Sequence, residues 1–309
     1  MKLGAIDVGT NTVLMLAAEL DGAAPPRTLL ECSRITRLGR GVDKNHRLDP
    51  QSAALTIAAL EDFAARGRAL GVERFVAAGT ASLRDAADGG EFIARVRERI
   101  GVDLEIISGI EEARLSHLAV MRGLAIDPAL ALLIVDIGGG STELIRADPG
   151  RELEMVSLQI GSVRMTERYI RSDPPSADDA SELSQAIDAA LAETRWNFQP
   201  AAMIGIAGTV TTVCAVALGM ARYEAGIVHG HVLARAEVER VAGMFRIRPI
   251  AERRMLPGLL EGRADVIYAG AMILLRVMNR FGADAVIASD QGVRWGLIWR
   301  EADRLRAAC

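Results

Sequence analysis

Two short segments of the sequence combine an aspartate with glycines and small polar side chains. The first places Asp7 before residues 9–12, and the second places Asp136 before residues 138–142. Phosphate binding requires close approach of the backbone, which glycine allows, and the N–H and hydroxyl donors that such turns supply. A nearby carboxylate can hold Mg²⁺, directly or through water. The candidate phosphate-binding residues are Gly9, Thr10, Asn11, Thr12, Gly138, Gly139, Gly140, Ser141 and Thr142, and the candidate metal-binding residues are Asp136 and Asp7.

The two segments are 129 positions apart and superimpose residue by residue, with Asp7 on Asp136. An apolar strand precedes each aspartate and another follows each turn, which predicts two β-hairpins whose tips bring N–H groups against an anion. Residues 161–164, after a strand in the second half, resemble residues 38–40 in the first. Either tip alone could be an ordinary glycine hairpin, but two copies at matched positions favour a pair of phosphate-binding loops.

Two adjacent carboxylates, Glu111 and Glu112, lie where a predicted strand enters a predicted helix. Ser108 followed by Glu111 matches a capping box, which explains Glu111 by local helix stability alone. Glu112 is not needed for that motif. A carboxylate at the rim of a phosphate site can act as the general base for a water that attacks phosphorus, so both interpretations stay open.

Two further helix entrances carry polar residues suited to anions. Thr80 opens one of them, and Arg84 just inside it could neutralise phosphate oxygens or pair with a neighbouring surface aspartate. Gly208 and Thr209 open the other after a short strand, where a nucleoside or a distal phosphate could bind. Each of these motifs is a weak signal when it is taken alone.

The duplication predicts two similar domains that face each other across a cleft. Asp127-Pro128, directly before the second copy, is the natural boundary, so domains are expected at 1–126 and 127–309. Helices and strands alternate between the motifs, which predicts mixed α/β sheets. Helices are expected at about 49–70, 91–100, 111–124, 177–198, 209–219, 235–246, 262–281 and 292–306, and strands near 75–77, 102–107, 202–206 and 284–288.

The composition excludes several classes of protein. The chain has 309 residues, half of them hydrophobic, which excludes a disordered chain. Its 36 basic and 40 acidic residues argue against a nucleic-acid-binding protein with a generally basic surface. Three scattered cysteines favour a reducing cytoplasm, and Cys214 is interpreted as a core residue. His229 and His231 invite a metal interpretation, but four histidines without a cysteine cluster make a histidine-built site unexpected.

Arginine supplies almost all of the positive charge, because Lys2 and Lys44 are the only lysines. This bias is interpreted mainly as background, although a planar guanidinium suits phosphate and carboxylate. Because basic and acidic residues are nearly balanced over the whole chain, the positive charge that a polyanionic ligand needs must be concentrated near its binding site. The arginines in or beside the motifs are Arg37, Arg40, Arg84, Arg164 and Arg294.

Residues 196–221 carry no charge over 26 positions, which is long enough to cross a bilayer. Glycines and threonines at the middle of this segment favour a strand, a tight loop and a helix start instead, so no membrane span is expected. Near the N-terminus, Asp7 interrupts the sequence before a signal-peptide apolar stretch can form.

Taken in order, the motifs resemble those of the exopolyphosphatase and guanosine pentaphosphate phosphohydrolase family, within the actin-like ATPase superfamily. The resemblance covers nearly the whole chain and implies two actin-like (ribonuclease H-like) α/β domains, with mixed sheets flanked by helices and an interdomain cleft. The motifs are Asp7-Val-Gly-Thr-Asn-Thr, Arg37-Leu-Gly-Arg-Gly-Val-Asp, Ala78-Gly-Thr-Ala-Ser-Leu-Arg-Asp, Ser108-Gly-Ile-Glu-Glu-Ala-Arg-Leu, Asp136-Ile-Gly-Gly-Gly-Ser-Thr-Glu, Ile160-Gly-Ser-Val-Arg-Met-Thr-Glu, Gly205-Ile-Ala-Gly-Thr-Val-Thr-Thr and Ser289-Asp-Gln-Gly-Val-Arg-Trp-Gly-Leu.

The resemblance implies hydrolysis of the terminal phosphoanhydride of inorganic polyphosphate, including short chains, with guanosine pentaphosphate (pppGpp) as the alternative substrate. It implies Mg²⁺, or another divalent cation, as the cofactor. It assigns the general base to Glu112, with Glu111 as the second choice. It further assigns Mg²⁺ binding to Asp136 and support of the metal or the attacking water to Glu143.

Longer relatives carry an additional C-terminal helical domain that resembles HD phosphohydrolases, and this chain is expected to be the short form without it. A homodimer in the cytoplasm is expected, with neither a nucleic-acid polymer nor a membrane as partner. Two other functional classes stay open. One is an actin-like kinase for a small molecule, and the other is a catalytically silent sensor of polyphosphate or nucleotide.

Overall fold

The computed structural model describes residues 1–21, 24–124 and 126–308, and the chain divides into two units. One unit comprises Met1–Arg122 together with the segment from Gly292 onward, and the other comprises Gly123–Gln291. The first crossing lies close to the boundary predicted after residue 126. The C-terminal segment differs from that prediction, because the chain returns to the first unit at Gly292 rather than staying in the second domain.

The strands of the first unit form one mixed sheet. The elements of this unit are β1 (Lys2–Val8), β2 (Thr12–Glu19), β3 (Arg27–Ile35), α1 (Val42–Asn45), α2 (Pro50–Ala69), β4 (Arg74–Gly79), α3 (Ala81–Asp85), α4 (Gly89–Ile100), β5 (Leu104–Ile106) and α5 (Gly109–Gly123). The strand order is β3-β2-β1-β4-β5, in which β1 pairs antiparallel with β2 and parallel with β4.

The second unit contains β6 (Leu132–Ile137), β7 (Thr142–Ala147), β8 (Glu154–Leu158), α6 (Ser162–Tyr169), α7 (Ala177–Ala192), β9 (Ala202–Ile206), α8 (Ala207–Ala217), α9 (Ala225–Val228), β10 (Val232–Ala234), α10 (Arg235–Arg246), α11 (Ile250–Arg253), α12 (Ile267–Phe281) and β11 (Ala285–Ala288). Its sheet has the order β10-β11-β9-β6-β7-β8. The run β8-β7-β6-β9-β11 repeats β3-β2-β1-β4-β5 in order and in strand direction. The predicted duplication and the mixed α/β class are therefore confirmed at the level of whole sheets.

The core of the first unit has two layers, because successive residues of β1 point to opposite faces of the sheet. Leu3 and Ala5 pack in the layer with α5 and the final helix, α13 (Val293–Ala308). Ile6 and Val8 pack in the layer with α2 and α4. Asp7, which alternates with Ile6 and Val8, lies on the α5 side. The apolar side of α13 completes this layer against β1 and β2, which explains why the C-terminal segment belongs to the first unit.

Most predicted elements are present, with differences at their ends. The helix predicted at 235–246 and the strand predicted at 202–206 have the expected bounds. The helix predicted at 177–198 ends at Ala192, shortly before Arg195 adopts a positive φ of 51°. The sequence patterns did not predict β3, which extends the first hairpin to three strands, or α6. The strand expected before residue 161 is present as β8, which extends the second hairpin to three strands.

The uncharged segment 196–221 contains the predicted strand and helix, as β9 and α8, but α8 starts at Ala207 directly after β9 ends, without the predicted loop between them. In the part of the chain that the structure describes, no helix has the length and apolarity to span a membrane.

Candidate active site

The tips of the two hairpins close with the same hydrogen bond. The Gly9 N–H donates to the Thr12 carbonyl at 3.1 Å, and the Gly138 N–H donates to the Ser141 carbonyl at 3.0 Å. A Cβ at Gly9 would lie 2.9 Å from the Thr12 carbonyl oxygen, so this turn requires glycine. The donor and the acceptor of this bond in the first turn are thus each 129 residues before the donor and the acceptor in the second turn.

The start of α6 holds the carbonyl side of the second tip. Its first N–H groups donate to the Gly138 and Gly139 carbonyls at 2.9 to 3.1 Å, and the Arg164 Nε donates to the Gly140 carbonyl at 2.7 Å. A trans peptide directs its N–H away from its C=O. The N–H groups of Gly139, Gly140 and Ser141 therefore point away from α6, and none of them donates to another described residue. Three adjacent N–H groups directed to one side can bind an anion.

Glycine at position 161 permits this close packing. A Cβ on Gly161 would lie 2.4 Å from the Gly139 carbonyl carbon and oxygen. In the first unit Gly39 has the same role, since its N–H donates to the Thr10 carbonyl at 2.8 Å and its Cβ would lie 2.2 Å from Thr10 Cγ2. The resemblance between residues 38–40 and 161–164 thus corresponds to a shared packing role behind each tip.

The first tip also presents buried polar side chains. Thr10, Asn11 and Thr12 are all buried. Asn11 Nδ2 and Ser82 Oγ are buried and have no hydrogen-bond partner among the described residues. A buried donor without a partner costs about 1–3 kcal/mol, which an oxygen of a bound anion would recover. The Thr80 hydroxyl lies 3.4 Å from the Val8 carbonyl at the end of β1, and phosphate binding by Thr80 stays a prediction.

Glu112 and Arg84 form a buried pair in the first unit. Arg84 Nη1 lies 2.8 Å from Glu112 Oε2 and also donates to the Ile107 carbonyl at 2.8 Å. Glu112 is 7% exposed, and Arg84 Nη2 is buried with no partner among the described residues. The surface pairing of Arg84 with a neighbouring aspartate is therefore not the arrangement that forms. Arg84 Nη2 can therefore donate a hydrogen bond to a bound anion, and the neighbouring Glu112 carboxylate can accept a proton.

Glu111 has a different environment. Its N–H donates to Ser108 Oγ at 3.1 Å, which is the helix cap that the sequence predicts. Its carboxylate pairs with Arg300 at 3.2 Å and with Arg114 at 3.7 Å. Helix capping and pairing with two arginines thus account for Glu111, whereas Glu112 is buried and pairs with Arg84.

The second hairpin brings two carboxylates together. Asp136 and Glu143 are directly opposite each other in the β6–β7 pair, so their side chains lie on the same face. Glu143 is fully buried, and its Oε1 accepts hydrogen bonds from Ser141 Oγ at 2.8 Å and from Ser157 Oγ at 2.7 Å. Ser157 lies on β8, and no sequence motif pointed to it.

This pair suits Mg²⁺, which is commonly held by one or two carboxylates together with phosphate oxygens and water. A cluster of three or more histidine, cysteine or acidic side chains able to hold a metal does not occur among the described residues. In the first hairpin, Asp7 has Leu14 opposite it rather than a second carboxylate. Asp136 and Glu143 are therefore the candidate residues for holding a divalent cation in the second unit.

Gly208 and Thr209 begin α8, as predicted, but an arginine that the motifs did not indicate lies against them. The guanidinium of Arg263 is only 2.0 Å from where a Cβ on Gly208 would stand, and burial lowers the pKa of Arg263 to about 10. Thr209 is buried against Gly270 of α12. Ala207 adopts a positive φ of 66°, a strained conformation for a residue with a side chain.

The remaining candidates have structural surroundings. Burial raises the pKa of the Cys214 thiol to about 11, which agrees with its interpretation as a core residue. His229 Nδ1 lies 3.1 Å from Asp290 Oδ1, and His229 Nε2 lies 3.1 Å from the Gly123 carbonyl at the end of α5. Two acceptors thus face the two ring nitrogens, an arrangement that the protonated imidazolium satisfies.

The stability contributed by His229 is expected to depend on pH. The hydrogen bond to Asp290 raises the pKa of His229 above its unfolded value, so this stability is full below about pH 6.5 and is lost as the pH rises through the folded pKa. We expect His229→Asn to lower the unfolding midpoint in urea more at pH 5.5 than at pH 9. The difference corresponds to about 1 kcal/mol for a cation at a helix C-terminus. An Asp290→Asn variant is the matched control and should lose the same pH dependence; equal effects of His229→Asn at both pH values would contradict the assignment.

Replacing Arg84 with alanine is expected to weaken binding of tripolyphosphate by about 10- to 100-fold, the equivalent of one charged hydrogen bond of 1.5–3 kcal/mol. The reason is the loss of the donor at Nη2 together with the partner of Glu112. Isothermal titration calorimetry with Mg²⁺ present measures the change. Arg97→Ala, which removes an exposed arginine paired with the exposed Asp103, is the control. Unchanged affinity in Arg84→Ala would show that Arg84 does not contribute to binding of tripolyphosphate.

Known proteins resemble this chain over nearly its full length. It is 32% identical to exopolyphosphatase 2 of Mycobacterium tuberculosis, covering 96% of this chain and 97% of that protein. It is 28% identical to guanosine-5'-triphosphate,3'-diphosphate pyrophosphatase of Vibrio cholerae, covering 98% of this chain and 59% of that protein. A crystal structure of the Aquifex aeolicus member of the Ppx/GppA family superimposes with a TM-score of 0.83 at 30% identity, covering 99% of this chain and 98% of that one.

The model of the Ppx/GppA phosphatase family matches residues 16–305. The second hairpin, the Glu112–Arg84 pair and the Asp136–Glu143 pair lie within that range, which begins inside β2 and so does not include the tip of the first hairpin. This chain belongs to the Ppx/GppA phosphatase family.

Proposed function

We propose that this chain is a phosphohydrolase that releases the terminal phosphate from inorganic polyphosphate. The observation that carries the proposal is the second hairpin tip, where three N–H groups point to one side and the paired carboxylates Asp136 and Glu143 lie on the adjoining strands. A phosphate oxygen needs those donors, and a divalent cation needs those carboxylates. The exopolyphosphatases among the relatives support the choice of substrate.

In the proposed reaction, the oxygen of a water molecule bonds to the terminal phosphorus while the bond from that phosphorus to the bridging oxygen breaks. Glu112 takes the proton from the water, and the shortened chain leaves with the electron pair on the bridging oxygen. Arg84 holds the Glu112 carboxylate in one orientation and offers its second nitrogen to a phosphate oxygen. General base catalysis contributes about 10²- to 10⁴-fold, and the backbone donors of the tip stabilise the developing charge.

The cofactor is proposed to be Mg²⁺, or another divalent cation, which when bound would neutralise charge on the phosphate oxygens. Asp136 and Glu143 would hold it, directly or through water, and the two serine hydroxyls on Glu143 orient that carboxylate. Asp7, the matching aspartate of the first hairpin, is a further candidate for binding a cation within its own unit.

The alternative substrate is pppGpp, which presents the same kind of terminal phosphoanhydride. The relative from Vibrio cholerae, a guanosine-5'-triphosphate,3'-diphosphate pyrophosphatase, keeps this alternative open. Arg263, whose guanidinium lies against Gly208, is proposed to contribute to the choice between the two substrates.

Phosphate release from short polyphosphate, long polyphosphate and pppGpp at equal concentration tests the proposal. We expect release from polyphosphate with Mg²⁺ and none after chelation with EDTA. Preferred release from pppGpp would shift the substrate to the alternative. ATP-dependent phosphorylation of a small molecule without free phosphate would indicate a kinase, and binding without release would indicate a sensor.

A homodimer located in the cytoplasm completes the proposal. A second copy could lengthen the surface available to a polyphosphate chain, and the buried free thiols of Cys32 and Cys214 suit a reducing compartment. Light scattering of the purified protein and fractionation of cells test the two statements separately.

A further inference from the structure

We propose that Arg164 is a positioning residue that fixes the Gly140–Ser141 peptide so that its N–H faces the bound phosphate. The inference rests on the proposed function. The structural basis is the hydrogen bond from Arg164 Nε to the Gly140 carbonyl, 2.7 Å long, made by a residue that is 8% exposed. The N–H of Ser141 belongs to the same peptide and points in the opposite direction.

The matching carbonyl is held in the first hairpin as well. Gly140 aligns with Asn11 under the 129-residue offset, and the Asn11 carbonyl accepts from the N–H groups of Thr36 and Arg37 at 3.1 and 3.0 Å. Two backbone N–H groups thus hold the carbonyl at this position of the first tip, and one guanidinium holds it in the second tip. Different donors on the same carbonyl indicate that the orientation of this peptide is a requirement of the tip.

The second tip needs the hydrogen bond from Arg164 because its three consecutive glycines, at positions 138–140, restrict the backbone dihedral angles very little. Glycine adopts positive and negative φ almost equally well, so the peptide after Gly140 can reverse at low cost. The N–H groups of α6 secure the Gly138 and Gly139 carbonyls and leave the Gly140 carbonyl to Arg164. A reversed peptide would replace the Ser141 N–H with a carbonyl oxygen, which repels phosphate. Loss of one such donor costs about 10²- to 10³-fold in kcat.

A pair of substitutions separates the donor from the bulk and charge of the side chain. In Arg164→Gln the side-chain amide nitrogen occupies the position of Nε and can still donate, whereas Arg164→Met fills similar space without a donor. We expect kcat/KM for phosphate release from polyphosphate to stay within about 10-fold of wild type in the glutamine variant. In the methionine variant we expect a decrease of about 10²-fold or more. Arg151→Ala, an exposed arginine of the same unit, controls for loss of charge.

Circular dichroism melting shows whether each variant folds. Equal activity of the glutamine and methionine variants, when both are folded, would overturn the role of Arg164. If wild type binds tripolyphosphate without releasing phosphate, the proposed function fails, and the same two variants are then compared by calorimetric affinity.

A measurement on the unaltered protein covers the case in which the variants do not fold. Amide hydrogen exchange by NMR is recorded with and without tripolyphosphate and Mg²⁺. We expect the ligand to slow exchange at Gly139, Gly140 and Ser141. Unchanged exchange at Ser141, with binding established by calorimetry, would overturn the proposal.

Discussion

Glu112→Gln is expected to lower kcat for phosphate release by about 10²- to 10⁴-fold, the range for loss of a general base. Glutamine keeps the shape of the side chain, and its Oε1 can still accept from Arg84 Nη1, so the buried pair retains a hydrogen bond. What it loses is the ability to take a proton from water. Affinity for tripolyphosphate should stay near the wild-type value, because the donors of both hairpin tips are untouched.

Two further variants sharpen this test. Glu105→Gln changes an exposed carboxylate of the first unit and should keep wild-type activity. Glu111→Gln decides between the two adjacent glutamates. A large loss of activity in Glu111→Gln with near-normal activity in Glu112→Gln would show that Glu111 is the general base. Full activity in both variants would show that neither glutamate takes part in the reaction.

Gly161→Ala is expected to reduce kcat/KM by about 10²-fold or more and to lower stability by about 1–3 kcal/mol, typical of overpacking. The φ of Gly161 is −137°, which alanine adopts freely, so the backbone conformation is not the obstacle. The obstacle is contact, because the added Cβ would lie 2.4 Å from the Gly139 backbone. The tip must then move away from α6, which shifts all three N–H groups that it presents.

Gly243→Ala is the matched control, since a Cβ there meets nothing within 4 Å and the residue lies inside α10. Replacing a glycine in a helix with alanine should stabilise the protein by about 0.5–1 kcal/mol without changing activity. Thermal melting and phosphate release measure both effects. If Gly161→Ala keeps wild-type kcat/KM, close packing of α6 on the tip is not required for function.

Local patterns predicted the parts of the site that depend on nearby residues. Both hairpins, their matched turns and the helix cap at Ser108 are set by glycine, by alternation of apolar residues and by a side chain that bonds three positions ahead. These features need no distant partner, so a single sequence reveals them. The α/β class follows for the same reason, because each element has its own periodicity.

Edge strands and supporting residues were harder to predict. β3 alternates poorly because much of it is exposed at the sheet edge, and α6 is only eight residues long. Ser157 and Arg263 reach their positions through packing of distant segments, and no local pattern distinguishes them from other serines and arginines. Ser82 lies within the motif at 78–85, but its burial beside the first tip depends on tertiary packing.

The sequence by itself determined the duplicated hairpins, the candidate carboxylates and the family, because those depend on residue type and short-range spacing. Only the tertiary structure decided that Arg84 pairs with Glu112, that Arg164 holds the Gly140 carbonyl and that the chain returns to the first unit at Gly292. Each of these depends on which long-range partner a side chain or a helix face finds. That choice is made by the packing of the whole unit, where one guanidinium among 34 arginines is placed within reach of one carbonyl or one carboxylate.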